Sequence, residues 1–185
     1  MKDDINLIKE VLDGNMDSFN ILVNKYEIVI FRFIYNIVRD SEASQDIAQE
    51  TFITAYNKLY TYRQEYKFIN WLFQIAKNKS IDYIRKYRRV YEVNIEDIHS
   101  IPYTGTSPEQ SAEYSETKYM VEEFVRNLNE TDKQILILKY LKDETTFRDI
   151  GEILSMSESA VKARFYRLKD RFKAYRNNRE KRWKI

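Results

Sequence analysis

The 185-residue chain contains no cysteine, one histidine (His99), three glycines and two prolines. Average usage of roughly 7% glycine and 5% proline would supply about 22 of these two residues, so a fold built from many tight turns is disfavoured and long helices are favoured. Without cysteine, disulfides, zinc ribbons and thiol nucleophiles are excluded, and a single histidine excludes histidine triads and multi-histidine metal sites. We therefore expect no metal, no cofactor and no enzymatic activity.

Long hydrophobic runs are also missing, although 43% of the residues are apolar. No run approaches the roughly 18 residues of a membrane span, and the N-terminus opens with Met1-Lys2-Asp3-Asp4 rather than a secretory signal. We predict a protein without membrane insertion, located in the cytoplasm. The apolar content, with 15 Tyr, 10 Phe and 2 Trp, is enough to build a sizeable core.

Charge is sorted into blocks along the chain rather than mixed. Residues 1–60 carry 6 basic and 10 acidic side chains, and residues 61–90 carry 8 and 2. Residues 91–154 carry 6 and 14, and residues 155–185 carry 11 and 3. A single charged run usually marks a solvated face, but two basic blocks that each coincide with a motif favour contact with a polyanion at two places.

Apolar residues at helical spacing predict an all-α fold of two domains, residues 1–90 and residues 116–185. In the first domain the pattern predicts helices over about 5–12, 19–37, 41–59 and 68–89, with Asp17 or Ser18 as the cap of the second. Between the two domains, Pro102, Gly105 and Pro108 interrupt the helical pattern, so residues 91–115 are predicted to form a flexible linker.

The C-terminal domain contains the pattern of a helix-turn-helix. Thr146 and Asp149 have the spacing of a capping box, Ser155-Met156-Ser157 provides a short turn, and the next helix repeats apolar residues from Val161. The opposite face of that second helix is small, polar and basic, as suits a helix that enters the major groove. The predicted DNA-contacting residues are Ser159, Lys162, Ala163, Arg164, Tyr166 and Arg167. A plain helical hairpin with a basic solvent face is the alternative.

Two further motifs lie in the N-terminal domain. The run from Asp46 to Phe52 reads D-x-x-Q-E-T-F, which places Asp46, Gln49 and Glu50 on a polar strip opposite Phe52. The run at 68–78 reads F-x-x-W-L-x-x-I-A-x-N and is followed by I-D-x-x-R at 81–85. Taken alone, the strip indicates only a solvated helix face, and Asp82 and Arg85 can simply pair at i and i+3.

These two motifs and the helix-turn-helix at 146–168, in this order and around a linker, resemble the sigma factors of bacterial RNA polymerase. The resemblance is to the compact extracytoplasmic-function (ECF) subfamily, which retains only the second and fourth sigma domains, and it covers most of the chain. Two positions depart from the family pattern: Ser155 stands where glycine is frequent, and Asn129 where proline is common. Ser155 can adopt the turn at modest strain, and the loss of proline affects only a helix start.

The resemblance implies a role for each motif. Asp46, Gln49 and Glu50 would bind core RNA polymerase, and the loop and helix that follow would capture and melt the minus-ten promoter element. The implied minus-ten residues are Tyr62, Arg63, Gln64, Tyr66, Lys67, Asn78, Lys79 and Arg85. The helix-turn-helix would read the minus-thirty-five element, and the resemblance implies an anti-sigma factor as a partner in addition to core polymerase and promoter DNA.

Two questions remain open at the level of sequence. The loop tyrosines either stack on unpaired bases or merely pack on the domain. The chain is either a sigma factor or a helix-turn-helix regulator that acts without joining the polymerase, with an N-terminal domain that senses a ligand or dimerises. The regulator hypothesis explains only half of the motifs.

Overall fold

The computed structural model describes residues 3–91, 111–141 and 145–182. These residues form α-helices and one short 3₁₀ turn, Leu59–Thr61, with no strand among them. The helices, in chain order, are α1 (Asp4–Leu12), α2 (Met16–Val38), α3 (Ser41–Lys58), α4 (Phe68–Tyr91), α5 (Ser111–Arg126), α6 (Glu130–Leu141), α7 (Phe147–Leu154) and α8 (Glu158–Arg182). The predicted all-α fold is confirmed.

Helix α2 is the centre of the N-terminal bundle, because α1, α3 and α4 all pack against it. Its apolar stripe is buried as predicted, with Leu22, Ile30 and Phe33 completely excluded from solvent. The predicted cap of this helix is wrong. Asn15 caps it by accepting a hydrogen bond from the backbone N–H of Asp17 at 3.0 Å, whereas Ser18 is buried one turn further in.

The region between the two helical groups is shorter than predicted. Helix α4 ends at Tyr91 and α5 already begins at Ser111, so residues 111–115 are helical rather than part of a linker. The remaining part of the predicted linker, residues 92–110, lies outside the described residues, as does His99.

The predicted helix-turn-helix forms from α7, a three-residue turn and α8. The capping box is complete: the Asp149 backbone N–H donates to Thr146 Oγ1 at 3.1 Å, and the Thr146 backbone N–H donates to Asp149 Oδ2 at 2.9 Å. Ser155 adopts the left-handed conformation with φ 58°, and Ser157 Oγ accepts from the Ala160 backbone N–H at 3.2 Å. Val161 and Phe165 on α8 turn inward.

Gly151 allows the two helices to approach closely, and sequence reasoning did not identify it. A Cβ at this position would lie 2.6 Å from the backbone carbonyl oxygen of Met156. Because that oxygen belongs to the backbone of the turn, only a backbone shift would make room for a side chain.

The two helical groups pack against each other. Helix α6 contacts α2, and α7 contacts α4. The buried apolar residues of α6 and α7, including Ile135, Leu138, Ile150 and Ile153, belong to the same continuous core as those of the N-terminal bundle. The helix-turn-helix is therefore fixed on the surface of α4.

Opposite effects on stability are expected at two positions of the helix-turn-helix, Gly151 in α7 and Ser155 in the turn. Gly151→Ala should lower the free energy of unfolding by about 1–3 kcal/mol, the usual range for overpacking. Ser155→Gly should raise it by about 0.5 kcal/mol, because relief of left-handed strain of about 1–2 kcal/mol exceeds the entropic cost of glycine. Urea unfolding measures both values, and stabilisation by Gly151→Ala would contradict the assigned close approach.

Candidate nucleic-acid interface

The polar strip predicted on α3 is present in the structure. Asp46, Gln49 and Glu50 are exposed on one face of the helix, while Phe52 is buried on the other. Glu50 Oε2 accepts a hydrogen bond from Lys79 Nζ of α4 at 3.0 Å. Lys79, which is predicted to contact DNA, therefore pairs with a residue of the predicted polymerase-binding strip. The strip and α4 form the two walls of an open groove.

The loop between the 3₁₀ turn and α4 is organised by Tyr62. Its ring packs against Phe68 and Trp71 at centroid distances of 5.4 and 5.7 Å, and its hydroxyl donates to the Tyr66 carbonyl oxygen at 2.6 Å. Burial raises the pKa of the Tyr62 hydroxyl, and nearby Asp4 and Asp3 add to this effect. Tyr62 therefore packs on the domain in this structure, whereas the side chain of Tyr66 is 46% exposed.

The other predicted minus-ten residues differ in their exposure and in their contacts. Arg63, Gln64 and Asn78 are exposed. Arg85 lies 3.9 Å from Asp82 in a fully surface-exposed i,i+3 pair, which contributes little stability. The guanidinium of Arg85 thus remains accessible to a phosphate.

Lys67 contacts the helix-turn-helix. Its Nζ donates to Asp149 Oδ2 at 2.9 Å, and Asn70 Nδ2 donates to Asp149 Oδ1 at the same distance. Burial alone would raise the pKa of the Asp149 carboxyl, but the hydrogen bonds from Asn70, Thr146 and Lys67 outweigh it and hold this pKa well below its ordinary value. Asp149 is thus an ionised carboxylate that joins the two helical groups.

Sequence reasoning missed Asn70, Gln74 and Lys77, which also contact α7. Gln74 Nε2 donates to the Glu152 carbonyl oxygen at 2.7 Å, and Lys77 Nζ donates to the Ile153 carbonyl oxygen at 3.0 Å. With Lys67, which immediately precedes α4, these residues follow the spacing i, i+3, i+7 and i+10, so they continue one side of the helix. This polar periodicity next to the apolar stripe of α4 is the sequence signal that could identify these residues as contacts to another helix.

The predicted reading face of α8 is open to solvent, with one exception. Ser159, Lys162, Ala163, Tyr166 and Arg167 are all exposed. Lys162 pairs with Glu158 on the same helix at 2.7 Å, and this hydrogen bond raises the pKa of the Lys162 ammonium. A surface pair of this kind is weak enough to exchange for a phosphate.

Arg164 is the exception, because it is engaged within the protein. Its Nη1 donates to Oδ1 of Asp132 at 3.0 Å, and Asp132 is 5% exposed. Asn129 completes the cluster: its Oδ1 accepts from the Asp132 backbone N–H at 2.9 Å at the start of α6. Arg164 thus joins α8 to α6, and its predicted DNA contact remains a prediction that requires sharing or breaking this pair.

Comparison with known proteins decides the family. The profile of Sigma-70 region 2 matches residues 22–90, and that of Sigma-70 region 4 matches residues 119–172. The ECF RNA polymerase sigma factor SigW of Bacillus subtilis (strain 168) is 32% identical over 168 residues, which cover 86% of this chain and 89% of that protein. This chain belongs to the ECF RNA polymerase sigma factors.

Other relatives of this sigma factor agree with the assignment. SigM of the same organism is 31% identical over 80% of this chain and 88% of that protein. The fold resembles two solved structures of low sequence identity. One is CnrH in complex with the cytosolic domain of CnrY, with a TM-score of 0.68, 19% identity and coverage of 95% and 97% of the two chains. The other is the sigma factor RpoE with the anti-sigma factor NepR from Bartonella quintana, with a TM-score of 0.67, 18% identity and coverage of 88% and 98%.

Membership of the family establishes the general role of the chain: a sigma factor that binds core RNA polymerase and directs promoter recognition. The alternative of a regulator that acts without joining the polymerase is not favoured. Sigma factors as a class are non-enzymatic initiation factors. Within the described ranges, no helix is long and apolar enough to cross a membrane, and no group of acidic or histidine side chains is arranged to hold a metal ion.

Acid should weaken the sigma factor through Asp149. A carboxyl whose pKa is depressed in the folded state contributes stability that is complete above its unfolded pKa, about 3.9, and is lost as the pH falls below it. At pH 7, Asp149→Asn should therefore lower the free energy of unfolding by about 1–3 kcal/mol, and the difference from wild type should shrink progressively as the pH falls below about 5.

Urea unfolding at a series of pH values measures this difference. Asp13→Asn, at an exposed position, serves as the control and should show no such convergence. A wild-type and Asp149→Asn difference that stays constant as the pH falls would show that the carboxylate charge does not stabilise the fold.

Proposed function

We propose that this sigma factor binds core polymerase through the acidic strip of α3 and promoter DNA through the α8 face and the loop of Tyr66 and Lys67. One observation carries the proposal: with the two domains packed together, the acidic strip of α3 and the small, basic face of α8 are both exposed. The strip would dock on core polymerase, and the α8 face would read the minus-thirty-five element as an intact duplex, since a recognition helix enters the major groove. The loop of Tyr66 and Lys67 would capture the melted minus-ten strand.

The domain limits proposed for these tasks are residues 1–90 for polymerase binding and the minus-ten element, and residues 116–185 for the minus-thirty-five element. Profile matches over 22–90 and 119–172 support this division. Since α5 begins at Ser111, the first helix of the second domain starts a few residues before the proposed limit at residue 116.

We further propose that the chain acts in the cytoplasm, where polymerase and promoters meet, and that it catalyses no reaction itself. An anti-sigma factor is proposed as a regulator, because the similar RpoE structure contains the anti-sigma factor NepR. The promoter sequence of the regulon would follow from run-off transcription on genomic templates.

Polymerase docking is tested by charge reversal on the strip. The double variant Asp46→Lys/Glu50→Lys should lower the affinity for core polymerase at least about tenfold, because like charges placed across an interface cost several kcal/mol. Asp13→Lys/Glu27→Lys makes the same charge change at exposed positions elsewhere on the same domain and should bind as wild type does. Co-purification with core polymerase and fluorescence anisotropy measure binding; normal binding by a folded strip variant would refute the docking role.

Promoter reading is tested by pairing variants of the two DNA surfaces. Arg167→Ala should relax promoter selectivity by about 1–3 kcal/mol, the typical value of a base-edge contact, whereas Lys169→Ala on the same helix should weaken binding to all sequences alike. Tyr66→Ala should leave closed-complex formation intact but reduce open complex, since a stacked base contributes about 1–3 kcal/mol. The exposed Tyr140→Ala is its control.

Permanganate footprinting of holoenzyme on duplex templates and on templates with a pre-melted bubble separates these effects. The bubble should restore activity to Tyr66→Ala and not restore selectivity to Arg167→Ala. Rescue of Arg167→Ala alone would mean that the two surfaces have the opposite roles.

A further inference from the structure

Arg164 lies on the inward side of α8, although it belongs to the predicted DNA-contacting residues. It follows Val161 by three residues and precedes Leu168 by four, and both of these residues are buried. Residues three and four apart share one side of a helix. The exposed residues of the reading face, such as Lys162 and Tyr166, therefore project from a different side of α8.

The guanidinium of Arg164 binds a buried carboxylate of α6. Its Nη1 donates to Oδ1 of Asp132 at 3.0 Å, and Asn129 Nδ2 donates to Oδ2 of the same carboxylate at 2.8 Å. Asp132 is 5% exposed, whereas 36% of the Arg164 side chain is exposed. Removal of one partner from a buried ion pair is strongly destabilising, so transfer of Arg164 to a DNA phosphate would leave Asp132 without its charged partner.

Asn129 connects this carboxylate to the start of α6. Its Oδ1 accepts from the Asp132 backbone N–H at 2.9 Å, and its backbone carbonyl oxygen accepts from the Lys133 backbone N–H at 3.0 Å. The same side chain thus caps α6 and orients the Asp132 carboxylate. Proline, which is common at this position in the family, has neither the side-chain acceptor nor the amide donor. We call Asn129, Asp132 and Arg164 the anchor cluster.

The anchor cluster joins α8 to a helix that is itself fixed. Ile135 and Leu138 of α6 are buried in the continuous core, and α6 contacts both α2 and α8. The apolar contacts of α8 are non-directional, so by themselves they tolerate small rotations of the helix about its axis. A charge-assisted hydrogen bond requires a defined distance and angle. The pair of Arg164 with Asp132 therefore restricts this rotation.

The rotation of α8 determines which side chains can reach the edges of the bases. Successive residues of an α-helix are about 100° apart around its axis, and the reading face extends from Ser159 to Arg167, on both sides of Arg164 in the sequence. A rotation by part of this angle would move all the reading side chains together. Loss of the anchor cluster should therefore weaken the recognition of several base pairs at once.

We propose that Arg164 is a positioning residue of α8 and not a DNA contact, and that Asn129 and Asp132 hold it so that the reading face enters the major groove in one rotation. The proposal rests on the proposed reading of the minus-thirty-five element by α8. It gives the inward cation a role in promoter selectivity that requires no contact with a base or a phosphate.

A promoter library with a randomised minus-thirty-five element separates positioning from base reading. Holoenzyme is assembled with wild type, Arg164→Ala or the matched variant Arg167→Ala, and the bound promoters are sequenced. Arg167→Ala should relax the preference at one base pair. Arg164→Ala should lower the enrichment of the preferred sequence about fivefold, the low end of the effect of a lost base contact, and this loss should be spread over several base pairs. Relaxation at a single base pair by Arg164→Ala would indicate a base contact and overturn the proposal.

The salt dependence of binding separates positioning from a phosphate contact. Fluorescence anisotropy measures the affinity of each holoenzyme, at a series of potassium chloride concentrations, for a duplex that carries the preferred minus-thirty-five element but no minus-ten element. Each neutralised phosphate contributes about 0.9 to the slope of log affinity against log salt concentration. Lys169→Ala, at an exposed position of the same helix, should lower the slope by about this amount, whereas Arg164→Ala should leave it unchanged. An equal decrease for Arg164→Ala would show a phosphate contact and overturn the proposal.

The double variant Asp132→Ala/Arg164→Ala guards against loss of the fold. It removes both charges, so no unpaired carboxylate remains buried, and it should show the same broad loss of selectivity with an unchanged salt slope. Circular dichroism establishes that each variant is folded. If Arg164→Ala does not fold, the double variant decides.

Failure of the proposed function gives a different result, because wild-type holoenzyme would then select no sequence in the randomised minus-thirty-five element. Sharp selection by wild type that the folded Arg164→Ala and double variants retain unchanged would refute the positioning role alone.

Discussion

The arrangement of the whole molecule depends on the buried carboxylate of Asp149. It completes the capping box that starts α7, and its two oxygens also accept from Lys67 and Asn70 of the other domain. A buried charge is tolerated only when it is paired and hydrogen-bonded, and here the partners come from both domains. The helix-turn-helix and the domain interface are therefore stabilised by one side chain, and neither is independent of the other.

The interface between the two domains combines apolar packing with hydrogen bonds. It defines how the domains are oriented without making them inseparable. The apolar residues of α6 and α7 share the core of the N-terminal bundle, which favours packing of the two domains against each other. The hydrogen bonds from Lys67, Asn70, Gln74 and Lys77 to α7 add little net free energy, because water replaces each of them once the domains part. Such an interface suits a protein whose two domains are proposed to read separate promoter elements, since interfaces between domains of one chain generally resemble transient ones.

Local features of this fold could be predicted from the sequence, and contacts between distant residues could not. The helices follow from apolar periodicity, and the capping box of Thr146 and Asp149 follows from a three-residue spacing. Spacing alone does not single out Asn15 as the cap of α2, because Asp17 and Ser18 have equal capping chemistry nearby. The partners of Asp149 lie 79 and 82 residues away in sequence, and Arg164 lies 32 residues from Asp132. Periodicity places a residue on a helix face but does not reveal which helix covers it.

The distance between the two domains tests the central claim most directly. Because the chain has no cysteine, spin labels can be attached at two introduced cysteines, Glu42→Cys on α3 and Lys169→Cys on α8, both at exposed positions. Double electron–electron resonance should give one narrow distance distribution for the free wild-type protein and a broader one for Asp149→Asn. A broad distribution in the wild-type protein, or a narrow one that Asp149→Asn leaves unchanged, would contradict a domain arrangement held by Asp149.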